Sequence, residues 1–249
     1  MKRRFAVIVG SAGVLAVAVA GIVNAAPGGA GDAPATQAKK KPERYDEDEL
    51  FIETNATDGD AGLQLNLDGE DWKKLKIIDP KGRTLMDTKA KGKLRNYGLT
   101  GMTFESSEPP FDKVPFKDFK KRFPEGKYKF RGETISGRKL TGSDKFSHKV
   151  PDRPNITSPA PKGDVSATGF TIQWDPVTTP SGIKIANYFA IATVESDPVR
   201  ELEMLLPGDA TSATIPGEFL EAGVKTKIEV LGKATNGNQT ITEQSVVVK

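Results

Sequence analysis

Carboxylates that flank glycines form the segment of this sequence with the clearest potential for chemistry. Asp58-Gly59-Asp60-Ala61-Gly62 is followed shortly by Asp68-Gly69-Glu70-Asp71. Loops that offer many oxygen atoms, with glycines that permit tight turns, are what Ca²⁺ requires. Asp58 and Asp60 are therefore candidate calcium ligands, and calcium is the one cofactor that the pattern suggests.

The residues between these two acidic segments argue against a single shared ion. Residues 63–67 alternate between leucine and polar side chains, which predicts a strand. At ~3.3 Å per residue, such a strand holds the two segments roughly 15 Å apart. The spacing of an EF-hand loop is also missing. The alternative is a pair of turns built on Asp-Gly, a dipeptide that tolerates positive φ.

Other reactive side chains are scarce. His148 is the one histidine, and the chain has no cysteine, so no His/Cys metal site or Cys–His nucleophile pair can form. The residues on either side of His148, Ser147 and Lys149, are polar, which predicts a histidine on the surface of a strand. The carboxylates gather in turns and in the N-terminal segment, away from any predicted cleft. We therefore expect a protein that is not an enzyme and has no catalytic residues.

The C-terminal part of the chain is organised around one strand, at residues 170–174. The large apolar side chains of Phe170, Ile172 and Trp174 alternate with polar ones, which predicts a strand with one buried face. Further short apolar runs follow at residues 188–194, 213–216, 228–230 and 240–248. Strands this short, with turn residues between them, predict a β-sandwich of about 100 residues.

Residues 154–249 resemble a fibronectin type III domain. The resemblance rests on Trp174 ahead of Asp175-Pro176, on Tyr188 opening the next strand, and on Leu220-Glu221-Ala222-Gly223 before the strand at Ile228. The closing hairpin at 234–238 also fits. Thr226 stands where that family usually has a tyrosine, so the family's tyrosine-corner hydrogen bond is expected to be missing.

Residues 51–150 are predicted to form an N-terminal β-sandwich, immunoglobulin-like, with one short helix. A strand ending at Asp79-Pro80, the turn Lys81-Gly82 and a partner strand predict a hairpin. Residues 123–130 resemble the entrance to the last hairpin of many bacterial immunoglobulin-like modules. Phe116, Phe119 and Phe123 follow Pro115 at helical spacing, which predicts the helix.

The N-terminus has the pattern of an export signal. Lys2-Arg3-Arg4 precede an uncharged run at 5–23, and small residues follow it. This predicts a signal peptide at 1–25 that is cleaved after Ala25, the alternative being an uncleaved anchor. Residues 26–50 are rich in Pro, Gly, Ala and charge, which predicts a disordered linker.

The composition limits the classes of partner that the protein can attract and the environment in which it is found. Removal of the three basic signal residues from 36 leaves 33 Lys and Arg against 33 Asp and Glu, so no overall field attracts nucleic acid or, after cleavage, a membrane. An exported chain without cysteine favours a bacterial origin. Because Pro151 and Pro154 restrict the junction between the sandwiches, we expect the two domains to form an end-to-end rod.

These patterns together predict a secreted or periplasmic binding, adhesion or spacer module at the bacterial cell envelope. Such domains make contacts through end loops or edge strands, here residues 178–183 and 196–206, with an unidentified protein partner. The alternative is a carbohydrate-binding module whose partner is a polysaccharide. Trp72 follows Asp71 at a predicted turn and is the aromatic side chain most suited to stack on a sugar.

Overall fold

The structure, a computed structural model, describes residues 41–249, and its regular elements are mainly β-strands. Within this range, no helix is long and apolar enough to cross a bilayer. The strands of the N-terminal part are β1 Glu43–Arg44, β2 Glu47–Asn55, β3 Asp60–Ile78, β4 Thr84–Lys89, β5 Leu99–Glu105, β6 Gly126–Thr134 and β7 Lys139–Phe146. The C-terminal strands are β8 Ile156–Ser158, β9 Asp164–Val165, β10 Gly169–Trp174, β11 Ile185–Val194, β12 Arg200–Pro207, β13 Ser212–Pro216, β14 Lys225–Ala234 and β15 Gln239–Val248. The helices are α1 Leu94–Tyr97 and α2 Phe116–Arg122, and Gly217–Phe219 form a 3₁₀ turn.

The N-terminal sandwich is built on β3, a strand of 19 residues that changes partners along its length. Its first half pairs with β2 and β5, and its second half pairs with β4 and β6. The change takes place at an irregularity between Asp68 and Trp72. The Asp68-Gly69 turn considered from the sequence is therefore wrong, because the strand bends there and continues.

At this bend Trp72 departs from the two-residue period that the other inward side chains of β3 follow. Leu63, Leu65 and Leu67 are buried before it, and Trp72, Leu75 and Ile77 are buried after it. Trp72 is fully buried, so the exposed position predicted for it is wrong. An irregularity in a strand re-aims the side chains beyond it, and here it turns the indole into the core.

The predicted helix is confirmed as α2. Pro115 precedes it, and its phenylalanines form a chain of ring contacts with centroids 5.8 Å apart for Phe116 and Phe119 and 4.9 Å apart for Phe119 and Phe123. Phe119 is buried in the core of the N-terminal sandwich. The hairpin of β3 and β4 is also confirmed, with the Asp79 carboxylate accepting hydrogen bonds from the backbone N–H groups of Lys81 and Arg83.

The sandwich begins earlier in the chain than predicted. β1 and β2 occupy residues that the sequence assigned to a linker, because Leu50 is buried in the core and β2 is paired with β3 from Glu47 onwards. The charged composition of residues 43–49 obscured these strands in the sequence. The predicted signal peptide and residues 26–40 lie outside the described residues.

The C-terminal sandwich has the predicted fibronectin type III-like fold. One sheet has the order β13-β10-β8, and the other contains β12-β11-β14-β15. Ile172 and Trp174 are buried between them as the alternation predicted, and the Trp174 ring lies 5.4 Å from that of Tyr188. Thr226 is buried, and its hydroxyl makes no hydrogen bond within residues 41–249.

The two sandwiches share a sheet. β2 pairs in parallel with β15 at three positions, Glu53 with Gln239, Thr54 with Thr240 and Asn55 with Ile241. Residues 43–249 accordingly form one compact unit. The expected end-to-end rod is therefore wrong: the stiff Pro151–Pro154 junction was recognised, but the backbone edges that join the sandwiches were not.

Asn238 holds the junction between β2 and β15, which we call the seam. Its side chain is 1% exposed, its Oδ1 accepts a hydrogen bond from the Ile52 N–H at 2.8 Å, and its Nδ2 donates to the carbonyls of Ser147 and Lys149, both at 2.8 Å. The Thr240 hydroxyl donates to the Pro151 carbonyl at 2.7 Å. The hairpin before β15 thus holds both β2 and the interdomain segment.

We predict that Asn238→Ala lowers the free energy of unfolding by about 2–4 kcal/mol, since it removes the partner of the buried Ile52 N–H and of the part-buried Ser147 carbonyl, while the Lys149 carbonyl keeps its bond from Asn236. Urea denaturation followed by tryptophan fluorescence measures the change. Asn236→Ala is the matched control. This neighbouring side chain also donates to Lys149, but it is only half-buried, so water can replace it and the loss should be smaller. Equal losses in the two variants would contradict the role assigned to Asn238.

Candidate functional site

The two predicted calcium ligands have different surroundings. Asp58 is exposed in the turn between β2 and β3, where its backbone N–H donates to Asn55 Oδ1 at 3.0 Å. Asp60 is fully buried at the start of β3. The Asp58-Gly59 turn is confirmed, with Gly59 at φ 69°. The two carboxylates differ in solvent access, and the structure does not place both in one carboxylate group that could hold an ion.

A group of carboxylates that sequence reasoning missed lies near Asp60. One carboxylate oxygen from each of Glu53, Glu105 and Glu108 lies within 4.8 Å of the others. Glu53 comes from β2, Glu105 ends β5, and Glu108 follows it in a loop. Because these residues come together only through the pairing of β2 and β5 with β3, no local motif in the sequence could show them.

The sheet leaves room for this group at one glycine. Gly62 is the partner of Glu53 across the ladder, and the Glu108 side chain lies over Gly62, where any Cβ would clash with it. Glycine is the residue that allows such close approach over a strand. The segment Asp60-Ala61-Gly62, first noted for its turn potential, therefore serves to seat a carboxylate.

Burial and nearby carboxylates raise the pKa values of Glu53 and Glu108. Burial raises the pKa of Glu53 to about 7; a hydrogen bond from the Gln239 amide opposes this rise, and nearby Glu105 and Glu229 add to it. Burial also raises the pKa of Glu108, and a hydrogen bond shared with Glu105 adds to this. Carboxylates this close cannot all be ionised without a cation, so the group can either keep protons or hold a positive charge.

A different kind of site lies at the far edge of the shared sheet. β12 pairs with β11 on one side, and among residues 41–249 no strand pairs with its other side. The stretch from Arg200 to Leu206 contains no proline, so its outward N–H and C=O groups can pair with another strand. This edge lies within the stretch that the sequence marked as a contact.

The side chains at this edge combine apolar and acidic character. Leu205 is 62% exposed, and Val199 just before the strand is 49% exposed. Glu201 and Glu203 share the face of Leu205 by the two-residue period of a strand. Burial and the Glu201 charge raise the pKa of Glu203. The edge therefore offers one apolar contact and an excess of negative charge.

The second predicted contact, the loop at residues 178–183, is largely exposed. The Thr179 hydroxyl donates to the Ile183 carbonyl at 2.9 Å, and Lys149 Nζ donates to the Ser181 carbonyl at 2.6 Å. The loop is thus tied to the interdomain segment. It presents few apolar side chains, so β12 is the more suitable surface for contact with a partner.

Comparison with known proteins gives structural similarity alone. No family model matches the chain. The FN1–FN3 domains of chicken CNTN1 are similar at a TM-score of 0.34 and 10% identity, over 83% of this chain and 65% of that one. A segment of two fibronectin type III domains from chicken tenascin is similar at a TM-score of 0.29 and 12% identity, over 81% of this chain and 97% of that one. The chain thus spans about two thirds of the CNTN1 structure, and the fold of the C-terminal sandwich is read from its own strand order.

We predict that Glu53→Gln stabilises the protein at pH 8 by on the order of 1–2 kcal/mol. The folded pKa of about 7 lies above the ordinary 4.5, so folded Glu53 holds its proton more tightly than the unfolded chain does. Its contribution to stability is complete below pH 4.5 and is lost as the pH rises through 7. Urea denaturation at pH 5 and pH 8 should show a smaller loss in the variant than in the native chain. The exposed Glu218→Gln serves as control and should leave the pH dependence unchanged.

The calcium ligation that the sequence suggests for Asp58 and Asp60 can be tested by thermal unfolding. Because Asp58 is exposed and Asp60 is buried, we expect the melting temperature to be the same with a chelator and with millimolar Ca²⁺, since only an ion that binds the folded state raises stability. A rise that Asp60→Asn abolishes and Asp58→Asn leaves intact would instead assign calcium to the buried side.

Proposed function

We propose that this protein is an exported, non-catalytic binding module that holds a protein partner at the bacterial cell envelope through the open edge of β12. The observation that carries the proposal is an unpaired edge strand with an exposed leucine. Long apolar edges promote association, and proteins that avoid it cover them or interrupt them with proline or charge. No other described strand covers β12, and the stretch from Arg200 to Leu206 contains no proline, so its charged side chains are the only one of these devices present.

The mode of binding that this edge supports is strand addition. A segment of the partner extends the sheet beyond β12, so the main-chain hydrogen bonds supply affinity and alternate side chains supply specificity. On the face of Leu205, the added strand would place an apolar side chain next to that leucine and a basic one next to Glu201 or Glu203. The glutamates thereby discourage pairing between two copies of the same edge, since like charges across a ladder are unfavourable.

The proposed export and the proposed location at the cell envelope are supported by the sequence alone. The basic start, the uncharged run at 5–23 and the small residues up to Ala25 support a signal peptide cleaved there, and hence a secreted or periplasmic protein. The absence of cysteine supports a bacterial source. Fibronectin type III-like domains are commonly binding or spacer modules, which supports a role without catalysis.

The alternative of a carbohydrate-binding module loses the tryptophan platform that the sequence suggested. Trp72 is 0% exposed within the core, and Trp174 is 2% exposed between the sheets of the second sandwich. Stacking on a sugar requires a ring face in solvent. A carbohydrate partner would therefore have to be recognised by other means than tryptophan.

We predict that Leu205→Lys abolishes specific capture of the partner. The full tagged chain is incubated with envelope extract from its own cells, and the eluate is analysed for proteins and sugars. Lysine removes the apolar contact and leaves the fold intact, because the native side chain is mostly in solvent. Leu94→Lys in α1 is the matched control, since that leucine is 46% exposed and lies in the other sandwich.

A protein retained by the native chain and by Leu94→Lys, but lost with Leu205→Lys, would support recognition through β12. Retention of the same protein by all three chains would place the contact elsewhere. A melting temperature within about 2 °C of native in both variants shows that the fold is unchanged.

A further inference from the structure

The outward face of the N-terminal sandwich carries a row of positive charge that the balanced composition conceals. On β6, the exposed side chains alternate as Lys127, Lys129 and Arg131, while Tyr128 and Phe130 between them are fully buried. Lys145 on β7 and Arg44 on β1 extend the row across the neighbouring strands. We refer to Arg44, Lys127, Lys129, Arg131 and Lys145 as the basic face.

These charges oppose the stability of the sheet. Lys127 lies directly across the ladder from Lys145, an arrangement of like charges that destabilises a pair of strands. Among residues 41–249, no carboxylate forms an ion pair with any member of the basic face. Folding alone therefore gives no reason for this concentration of charge.

Two carboxylates on the neighbouring strands β2 and β7 accept hydrogen bonds from backbone groups. Asp48 Oδ2 accepts a hydrogen bond from the Ser143 N–H at 2.6 Å, and Asp144 Oδ2 accepts one from the Leu50 N–H at 2.9 Å. These bonds join β2 to β7 and hold both acids in place. Lys127, Lys129 and Lys145 are exposed, and the charge of Arg44 acts on Asp48.

The geometry suits a polymer that carries charges at regular intervals. Neighbouring basic side chains on β6 are spaced by two residues, about 6.8 Å along the strand. Thr141 and Ser143 lie opposite Arg131 and Lys129 and add hydroxyl groups between the charges. Arg131 is held in position by donation from Nη1 to the Phe130 carbonyl at 2.9 Å and to the Thr141 hydroxyl.

A depression of about 230 Å³ follows this row. It is lined by Arg44, by the three basic residues of β6 and by residues 141–143. At physiological ionic strength, charges are screened within about 8 Å, so a local row acts on a ligand even when the whole chain is neutral. The absence of an overall field, expected from the composition, therefore does not describe this surface.

We propose that the basic face binds a linear anionic polysaccharide, with carboxylate groups along one side of the polymer set against the lysines and Arg131. Hydroxyl groups of the sugar would meet Thr141 and Ser143. This site is separate from the β12 edge. It provides recognition of an acidic glycan by charge and hydrogen bonds, without the stacking that the buried tryptophans cannot supply.

Two other polyanions fit the face less well. Binding of single-stranded nucleic acid gains about 1–3 kcal/mol per base from aromatic stacking, and the aromatic side chains of β6 point into the core. Binding to a membrane surface is strengthened by apolar side chains that enter the interface, and the basic face contains none. A polysaccharide can bind to the positive charges and hydroxyl groups that the basic face does offer.

The test is affinity electrophoresis and calorimetry of the full chain with polygalacturonate, at 50 mM and 500 mM salt. We expect binding at low salt that is lost at high salt, and no binding to neutral dextran. Lys127→Gln/Lys129→Gln should weaken binding at least tenfold and make its dependence on salt less steep, because two contacts with anions are lost.

Lys91→Gln/Lys93→Gln is the matched control, with the same spacing, the same change in net charge and equally exposed side chains before α1. It should bind within twofold of the native chain. Equal weakening by the two double variants, or retention on neutral dextran, would overturn the proposal. Tighter binding of a poly-dT oligonucleotide or of phosphatidylglycerol vesicles than of polygalacturonate would overturn the assignment to polysaccharide.

Discussion

The arrangement of this protein depends on three pairs of residues between β2 and β15. Without that short parallel ladder, the chain would consist of two sandwiches joined by a stiff proline-containing segment. With it, one sheet runs from β1 at the N-terminal end of the described chain to β12. Asn238 completes the seam by satisfying an N–H group of β2 and two carbonyls of the interdomain segment at once. A buried amide with all of these partners fixes one geometry, because each alternative leaves a polar group unpaired.

The seam also lies next to a concentration of acidic side chains. Glu53 lies on the strand that joins the sandwiches, and Gln239 across the ladder donates a hydrogen bond to it. On the other side, β3 and β5 bring Glu105 and Glu108 to the same place. The basic face lies on the outward side of β6 and β7. A chain with nearly balanced charge thus still contains local concentrations of acidic and of basic side chains.

The elements with a strong local period could be predicted from the sequence. The strand of Phe170, Ile172 and Trp174 and the helix of Phe116 and Phe119 were recognised because one buried face recurs at a fixed spacing. The bend in β3 could not be predicted in this way, since Asp68-Gly69 has the composition of a turn and pairing with β2 and β5, which are distant or separate in the sequence, keeps it in a strand. The burial of Trp72 follows from the same bend. The acidic group and the seam depend on residues far apart in the chain, and Lys127 and Lys129 become a surface only when β6 has neighbours.

The distance along the chain that the seam spans also determines when the protein can complete its fold. Ile52 and Asn238 are 186 residues apart. Closing so long a loop brings a large entropic penalty before any contact compensates for it, so contacts of this kind form slowly. The N-terminal sandwich therefore keeps one β2 edge unpaired until the hairpin at 234–239 has emerged and folded. During synthesis, that edge is therefore open to pairing with the wrong strand.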